Sequence, residues 1–376
     1  MSVPVSRPRS LPSNGTLPGA AYHSDHVYDL EREKIFHGSW ICVGRDEQLA
    51  DPGSYRVVDL AGESILLTRD ADGTVHAFYN VCRHRGSPLA EGCGSVRKVL
   101  KCPYHAWSYG LDGRLRGTPN VHEDDEFRRA DHGLLRIAIE SWGGFLFVCL
   151  SEPRRTLQEH LAKDSGAPLH CERYHPERLR IGHSLRYEVE ANWKIICENF
   201  RECLHCPTVH PELVALVPLF GTGEARAADG GSTVLADGAE TFAVDGRSGL
   251  PHLPGLDPND QGVYNAAGAF PNLLLNFLAD SVVYYLMFPD GPARTIVEAH
   301  FLFAPETIAE AAFDPQPVVD FWDLLSLQDW GVCERTQPAM SSRAYVNGGV
   351  CPPADVWVRD FAEEYLRLTG DLPVGT

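Results

Sequence analysis

Two short Cys/His pairs constrain the fold of this chain more than any other feature of its sequence. Cys82 and His84 occur in VCRHRG, and Cys102 and His105 follow in KCPYHAW. Two thiolates and two imidazoles can reach one metal site only if their two loops lie side by side. The spacing therefore predicts a metal site in the N-terminal third, with these four residues as its ligands.

The ligand set alone leaves two kinds of metal site open. Structural zinc takes two Cys and two His in tetrahedral geometry. A two-iron cluster takes the same four residues, with two Cys on one iron and two His on the other. The residues that flank the pairs resemble the loops of Rieske [2Fe-2S] proteins and favour iron; they are Gly86, Pro88, Pro103, Tyr104 and Trp107.

A second candidate metal site lies in NWKIICENFRECLHCPTVHPEL. Glu202, His205 and His210 form E-x2-H-x4-H. On an unbroken helix the two His would point about 140° apart, so the motif needs a bend, which we expect at Pro207. Two His and one carboxylate from elsewhere form the ligand triad of Fe(II) oxygenases. Taken alone, the two His could equally be packing or surface residues.

Together the two motifs resemble the α subunits of Rieske non-haem iron oxygenases, over nearly the whole chain. The resemblance implies an α+β protein, with a small all-β Rieske [2Fe-2S] domain and a helix-grip (START-like) α+β catalytic domain. It also implies that the third ligand of the mononuclear Fe(II) is an Asp on a late helix. Asp329 falls at that position in FWDLLSLQDWGVCERTQPAMSSRAY, and Asp323 is a competitor. The family places residues such as Glu198 and Asn199 close to this iron.

The resemblance further implies a catalytic role for Glu202. In the family, an acid just before the two iron-binding His bridges to a cluster ligand of a neighbouring chain, which by position is His105 of the partner subunit. This chain reads E-C-L-H-C, similar to relatives with E-C-Y-H-C, with Leu204 in place of Tyr. A surface acid is the alternative for Glu202. Because the family passes electrons between neighbours in a ring of three, we expect a homotrimer.

Segment patterns predict three regions. Residues 1–36 form an arm followed by a helix, SDHVYDLEREKIF, that packs on the catalytic domain. Residues 37–155 carry short alternating strands typical of an all-β domain. Residues 156–376 form the catalytic domain, in which VVYYLMFP and TIVEAHFLFAP are expected to pair as strands.

Composition narrows the location and the partners. The 33 Lys and Arg against 51 Asp and Glu give a formal charge of -18, which repels nucleic acid and anionic lipid. No segment has the roughly 20 apolar residues of a membrane span, and the start lacks a secretion signal, so we expect a cytoplasmic enzyme. Eleven cysteines argue against a disulfide framework. We expect the cysteines outside the two Cys/His pairs to pack, including Cys197, Cys203, Cys206 and Cys333; the first three are close in sequence to the second site and could also tune its surroundings.

The electron supply is expected to be external. The chain has no G-x-G-x-x-G motif that opens a helix. A separate NAD(P)H-dependent reductase, with flavin and its own iron-sulfur centre, is therefore implied as the partner that supports activation of O₂.

The motifs point to a small-molecule substrate. Relatives with E-C-x-H-C and a late QDxxxCE run demethylate or cleave quaternary ammonium compounds such as glycine betaine, stachydrine and carnitine, by monooxygenation. Aromatic faces bind such cations, and the candidates are Phe200, Tyr264, Phe277, Tyr284, Tyr285 and Trp330. Phe200 and Leu204 replace the usual Tyr. Alternatives are an aromatic-ring hydroxylating dioxygenase and, from another class, a Rieske electron-transfer protein or a zinc-stabilised binding module.

Overall fold

The computed structural model describes residues 15–124, 126–163, 172–224 and 232–370. The chain divides into two compact units. One comprises residues 36–157, and the other comprises residues 1–35 together with residues 158–376. Most of the predicted N-terminal arm lies outside the described residues.

The unit of residues 36–157 is built from antiparallel strands, as its alternating segments predict. A seven-stranded sheet has the order β1-β10-β9-β4-β3-β2-β5, and a three-stranded sheet has the order β6-β7-β8. The strands are β1 Ile41–Arg45, β2 Ser54–Leu60, β3 Glu63–Arg69, β4 Val75–Tyr79, β5 Cys93–Ser95, β6 Val99–Lys101, β7 Ser108–Gly110, β8 Leu115–Gly117, β9 Arg136–Trp142 and β10 Phe145–Cys149.

A hydrophobic cluster supports the end of this unit that carries the Cys/His pairs. Leu66 and Phe78 come from the large sheet, and Leu100 and Tyr109 from the small one. Cys82 and Cys102, with the rest of the cluster, are buried among them. Because protein interiors pack densely, side chains from two sheets fix the positions of the two metal-site loops.

The second unit contains a six-stranded antiparallel sheet of order β11-β16-β15-β14-β13-β12. The two segments predicted to pair do so, from Val282 opposite Leu302 to Pro289 opposite Thr295. Every residue of the eight-residue segment 282–289 is buried, which explains its continuous apolar sequence. The strands are β11 Arg180–Val189, β12 Thr233–Val234, β13 Val263–Ala269, β14 Leu273–Phe277, β15 Val282–Pro289 and β16 Thr295–Phe303.

Helices cover this sheet and carry the second Cys/His-rich motif. The longest confirms the helix expected to carry Asp329. The α-helices are α1 Asp25–Glu31, α2 Leu157–Leu161, α3 Trp193–Phe200, α4 Cys206–Val209, α5 Pro211–Leu216, α6 Pro305–Ile308, α7 Gln316–Thr336 and α8 Val356–Thr369. None of the described helices is both long and apolar enough to span a bilayer.

A buried ion pair ties the N-terminal helix α1 to this unit. Glu31 accepts hydrogen bonds from Lys194 Nζ at 2.5 Å, Trp193 Nε1 at 2.9 Å and the Tyr365 hydroxyl at 2.7 Å. The side chains of Glu31 and Lys194 are both 0% exposed. Burial lowers the pKa of Lys194, and the charge of Glu31 opposes that shift. The cluster joins α1, α3 and α8 at one point.

Candidate metal centres

Both Cys/His pairs lie on tight loops with the same backbone hydrogen bonds. The first loop follows β4, and the Cys82 N–H donates to the Ser87 carbonyl at 2.9 Å. The second loop joins β6 to β7, and the Cys102 N–H donates to the Trp107 carbonyl at 2.8 Å. The two loops therefore close in the same way around their Cys residues, although the His follows at the second residue in the first loop and at the third in the other.

The fifth residue of each loop has a positive φ. Gly86 has φ 76° and Ala106 has φ 60°. Each N–H donates at 3.0 Å to the carbonyl of the Cys that opens its loop, Cys82 or Cys102. Glycine adopts this conformation freely, whereas alanine costs about 1–2 kcal/mol there. The second loop therefore keeps the shape of the first despite its Cβ atom.

The two imidazoles have the free nitrogens that a cluster needs. Nδ1 of His84 and Nδ1 of His105 are buried and have no hydrogen-bond partner among the described residues. The two rings lie 4.5 Å apart between centroids, and Trp107 stacks on His84 at 4.6 Å. Buried nitrogens without partners are rare unless a ligand occupies the site. The residues fit a [2Fe-2S] cluster with His ligands on one iron.

The sulfur atoms of this site lie among hydrogen-bond donors. The Tyr109 hydroxyl lies 3.5 Å from Sγ of Cys82 and accepts from the Arg83 N–H at 3.0 Å. Burial raises the pKa of Cys82. Burial also favours a higher pKa at Cys102. Hydrogen bonds, chiefly from the backbone N–H groups of Tyr104 and His105, outweigh burial and lower the pKa of that thiol. Such donors stabilise thiolates and tune cluster potentials.

The second site forms where the helical conformation is interrupted between α3 and α4. Asn192 caps this helix by accepting from the Lys194 N–H at 3.0 Å. His205 then caps the single turn α4, and His210 ends it with φ −124° and ψ 64°. The predicted bend at Pro207 is wrong, because Pro207 lies in the first turn of α4, where it fits. His210 leaves the helical conformation because it precedes Pro211.

This interruption of the helix brings three predicted ligands together. Nε2 of His210 lies 2.9 Å from Oδ1 of Asp329, and Nε2 of His205 lies 3.4 Å from the same oxygen. The three candidate ligand atoms all lie within 4.8 Å of one another. Asp329 reaches them from α7, 119 residues after His210. Two imidazoles and one carboxylate on one side of a metal leave positions open for O₂ and substrate.

The far side of each imidazole is held by a second residue. Nδ1 of His205 lies 2.6 Å from Oε1 of Glu202, and Nδ1 of His210 lies 2.7 Å from Oε1 of Gln328. These contacts place the Nδ1 proton outward and leave Nε2 for a metal. Burial lowers the pKa of His205, but hydrogen bonds and charge from Asp329 and Glu202 outweigh it and raise the pKa to about 9. A divalent cation would replace that proton, so the donor set fits Fe(II).

Three other predicted neighbours of this site have clear positions. Nδ2 of Asn199 lies 3.5 Å from Nε2 of His205, beside the ligand cluster. Asp323, the competitor, accepts from the Tyr187 hydroxyl at 2.7 Å and lies outside the cluster. Glu198 accepts from Tyr22 at 2.8 Å and 3.0 Å and is not among the residues that line the cavity next to the ligands.

A disulfide encloses the first His of this motif. Cys203 and Cys206 are bonded, with Cα atoms 5.0 Å apart, whereas Cys197 and Cys333 are buried free thiols. The assignment of Cys203 and Cys206 to packing alone is therefore wrong. Two cysteines three residues apart meet because the chain turns sharply before α4.

A cavity of about 510 Å³ opens beside the three candidate ligands. Trp322, Leu325, Ser326 and Asp329 line it from one face of α7, because residues three, four and seven apart share a helix face. Aromatic side chains form a connected wall of this cavity. The ring centroid of Phe242 lies 4.9 Å from that of Tyr264 and 5.2 Å from that of Trp322. The ring centroid of Tyr285 lies 6.2 Å from that of Trp322 and 6.4 Å from that of Trp330.

The sequence identified only part of this wall. Four of the six predicted aromatics line the cavity, namely Phe200, Tyr264, Tyr285 and Trp330. The other two do not: Phe277 packs on Tyr174 and Tyr284 stacks on His300. Sequence reasoning missed Phe220, Phe242, Trp322 and Trp357, all in the lining. The position of Trp322 in the lining could have been predicted, because it lies seven residues before Asp329 and therefore on the same face of the helix.

Comparison with protein families decides the identity of this pair of sites. The model described as the Rieske [2Fe-2S] domain matches residues 39–137, and that of the ring hydroxylating alpha subunit (catalytic domain) matches residues 176–371. The chain belongs to the Rieske oxygenase α-subunit family. The catalytic-domain match excludes the alternatives of an isolated Rieske carrier and a zinc-stabilised module.

Curated relatives of this Rieske oxygenase are oxygenase subunits. The glycine betaine monooxygenase oxygenase subunit of Chromohalobacter salexigens is 31% identical over 97% of this chain and 89% of the relative. The carnitine monooxygenase oxygenase subunit of Escherichia coli K12 is 36% identical over 52% of each chain. A solved quaternary ammonium Rieske monooxygenase shares the fold, with TM-score 0.78 and 23% identity over 94% of this chain and 95% of that one.

Family membership confirms the predicted class of enzyme. This Rieske oxygenase is an oxidoreductase that uses O₂, with a [2Fe-2S] cluster and a mononuclear iron as its cofactors. Membership of this family of oxygenase subunits implies a small-molecule substrate and a separate reductase partner. The α+β fold with a Rieske domain and a catalytic domain is likewise confirmed.

Proposed function

We propose that this oxygenase hydroxylates an N-methyl group of a quaternary ammonium compound of the betaine type. The aromatic wall of the cavity beside Asp329 carries the proposal. Aromatic faces attract alkylated ammonium ions that have lost their water, and a cavity of this size suits a small ligand. The two curated relatives, a glycine betaine monooxygenase and a carnitine monooxygenase, agree with this substrate class.

The proposal assigns a role to each predicted residue. Cys82, His84, Cys102 and His105 hold the cluster, and His205, His210 and Asp329 hold the mononuclear iron. When bound, these centres would supply electron storage and O₂ activation, respectively. Glu202 fixes the proton on the outer nitrogen of His205, and Asn199 borders the ligand cluster.

The overall reaction needs two electrons from the reductase. One oxygen atom enters the methyl group and the other leaves as water with two protons. The hydroxymethyl ammonium product then breaks its C–N bond to release formaldehyde and the smaller amine. The aromatic wall excludes water and places a methyl group beside the iron, which limits release of reactive oxygen.

We also propose a domain organisation and an oligomeric state for this chain. Residues 37–155 form the cluster domain and residues 156–376 the catalytic domain, with residues 1–36 packed on the latter. A homotrimer would place Glu202 next to His105 of the partner subunit and so shorten the electron path. The NAD(P)H-dependent reductase and the cytoplasmic location remain predictions.

A substrate panel tests the proposal directly. Iron-loaded enzyme with a surrogate reductase and NADH should release formaldehyde from at least one of glycine betaine, stachydrine, carnitine and choline. Naphthalene and benzoate test the aromatic-ring alternative, scored by diol formation. A ring product without formaldehyde from any methylammonium compound would overturn the proposed substrate class.

A further inference from the structure

A segment without helix or strand contributes to the aromatic wall of the cavity. Residues 235–257, all of which the structure describes, contain no helix and no strand. Phe242 lies in this segment, is 1% exposed and lines the cavity, whereas Val244 two residues later is 77% exposed. Ordered connections of this length without secondary structure are uncommon in compact domains and usually have a function.

Residues 240–246 form a compact turn within this segment. The N–H groups of Glu240 and Thr241 donate to the Gly246 carbonyl at 2.8 Å and 3.1 Å. The Gly246 N–H donates in turn to the Ala243 carbonyl at 2.8 Å. Gly246 has φ 77°, a conformation that glycine adopts freely. Because these bonds lie inside the turn, its position in the protein depends on what holds it from outside.

Asp280 holds this turn from both sides. It lies between β14 and β15 and is 3% exposed. Its Oδ1 accepts from the Thr241 hydroxyl at 2.7 Å, and its Oδ2 accepts from the Ser248 hydroxyl at 2.5 Å. The Ser281 hydroxyl also donates to Oδ1, at 2.8 Å. Burial raises the pKa of Asp280, and the three hydroxyl hydrogen bonds oppose that shift because they stabilise the charged form.

The carboxylate of Asp280 is the polar anchor of the segment. Within the part of the chain that the structure describes, the hydrogen bonds and ion pairs of residues 238–250 are internal or reach Ala236, except for the two to Asp280. Arg247, for example, donates to the Gly238 carbonyl at 3.2 Å. Hydrogen bonds to an ionised acceptor are stronger than those between neutral groups, so these two bonds fix the turn firmly.

Thr241 and Phe242 are adjacent, so the anchor also sets the position of the aromatic ring. The ring centroid of Phe242 lies 4.9 Å from that of Tyr264 and 5.2 Å from that of Trp322. Trp322 lies on the face of α7 that carries Asp329. A shift of the turn would therefore withdraw one ring from the wall beside the iron ligands.

We propose that Asp280 is a positioning residue for substrate binding, which keeps Phe242 in the aromatic wall through Thr241 and Ser248. Asp280 is not among the residues that line the cavity, so it acts through the segment that it holds. The part of this inference that concerns an ammonium substrate rests on the proposed function. The part that concerns the position of the segment does not.

Binding of glycine betaine to the iron-loaded enzyme without reductant, measured by calorimetry, tests the link from Asp280 to Phe242. Phe242→Ala should raise the Kd about 3- to 30-fold, the range of a lost aromatic contact with a cation. Thr241→Val and Asp280→Asn weaken the anchor, so each should raise the Kd at least about 3-fold. In the Phe242→Ala background the same changes should add less than about 2-fold, because the ring through which they act is already absent.

Two further variants separate this role from a general loss of stability. Thr241→Ser keeps the hydroxyl and should bind glycine betaine as the wild type does. Thr369→Val is the matched control, because it removes another buried threonine hydroxyl of the same unit, which donates to the Tyr365 carbonyl at 2.9 Å. Its Kd should stay within about 2-fold of the wild type. Equal effects of Thr241→Val and Thr369→Val, or effects of Thr241→Val and Phe242→Ala that simply add, would overturn the proposal.

Hydrogen exchange of peptides that cover residues 241–250 tests the anchor without any substrate. Exchange there should be at least about 10-fold faster in Thr241→Val than in the wild type, the scale of a lost hydrogen bond to a charged group. It should be unchanged in Thr369→Val. Unchanged exchange in both Thr241→Val and Asp280→Asn overturns this inference, even where the wild type releases formaldehyde from glycine betaine. Faster exchange with no formaldehyde from any methylammonium compound overturns the proposed function instead and supports the role of Asp280 in holding the segment.

Discussion

Glu202 and His205 form a short contact, with Oε1 of the acid 2.6 Å from Nδ1 of the imidazole. The other nitrogen of the same ring lies 3.4 Å from Asp329. Glu202 also accepts from the backbone N–H of Leu204. One carboxylate therefore fixes both the orientation of the ring and the turn that precedes α4.

The first prediction concerns this carboxylate. Glu202→Gln removes the negative charge next to His205 but keeps a similar shape, so both metals should stay bound. Turnover should fall about 10- to 100-fold, as for other residues that orient metal ligands. Steady-state formaldehyde release and iron content per chain check it. Wild-type turnover in this variant would exclude Glu202 from the electron route and from ligand positioning.

The second prediction separates the two acids of α7. Asp329→Ala removes a proposed ligand, so product should become undetectable while the visible spectrum of the cluster persists, because the cluster residues lie in another unit. Asp323→Asn is the matched control, since Asp323 contacts Tyr187 and lies outside the ligand cluster. Iron analysis should show about one iron fewer per chain in the first variant only. Loss of activity in Asp323→Asn alone would reverse the assignment.

The ligands were predictable because their chemistry requires particular residue types at close spacing. Cys82 to His105 and His205 to His210 lie within short segments, so the sequence itself displays each group. Asp329 could be found only through the family resemblance, because its partners are more than a hundred residues away. Its distance of 2.9 Å from His210 depends on how α7 packs, which no local pattern encodes.

The cavity wall was less predictable for the same reason. Phe242 and Trp322 meet at 5.2 Å from separate parts of the chain. An aromatic residue in the core and one in a cavity have the same sequence signal, as Tyr284 and Tyr285 show. The bend at His210 was placed wrongly because a proline in the first turn of a helix does not break it.

The third prediction concerns pH and Glu198. Burial raises the pKa of Glu198 to about 7 from the usual 4.5, although a hydrogen bond from Tyr22 and the charge of Lys194 oppose the shift. Between these values the folded chain holds a proton that the unfolded chain has released. The contribution of Glu198 to the free energy of unfolding is therefore complete below about pH 4.5 and is lost as pH rises through about 7.

Thermal unfolding midpoints measured from pH 4.5 to 8 test this direction of the pH dependence of stability. Glu198→Gln keeps an acceptor for Tyr22 but cannot ionise, so its midpoint should fall less with rising pH than that of the wild type. Glu363→Gln changes an exposed acid of α8 and is the control. Identical pH profiles for the wild type and Glu198→Gln would contradict the buried titration.

The fourth prediction concerns the buried pair Glu31 and Lys194. Lys194→Met leaves the carboxylate of Glu31 buried without its cation, which should cost about 3–5 kcal/mol of unfolding free energy. The double variant with Glu31→Gln should regain part of that loss, because no uncompensated charge remains. Urea unfolding midpoints of the metal-loaded protein measure the stability of the single and the double variant. An unchanged midpoint in Lys194→Met would show that the pair does not hold α1 in place.

We propose that one chain holds two unlike iron centres, one on the four Cys/His residues and one on His205, His210 and Asp329. Iron and acid-labile sulfide per chain, measured with the paramagnetic spectrum of the reduced protein after anaerobic reconstitution, test it most directly. We expect about three iron and about two sulfide per chain with a Rieske-type signal. About one zinc per chain, without sulfide and without that signal, would contradict it.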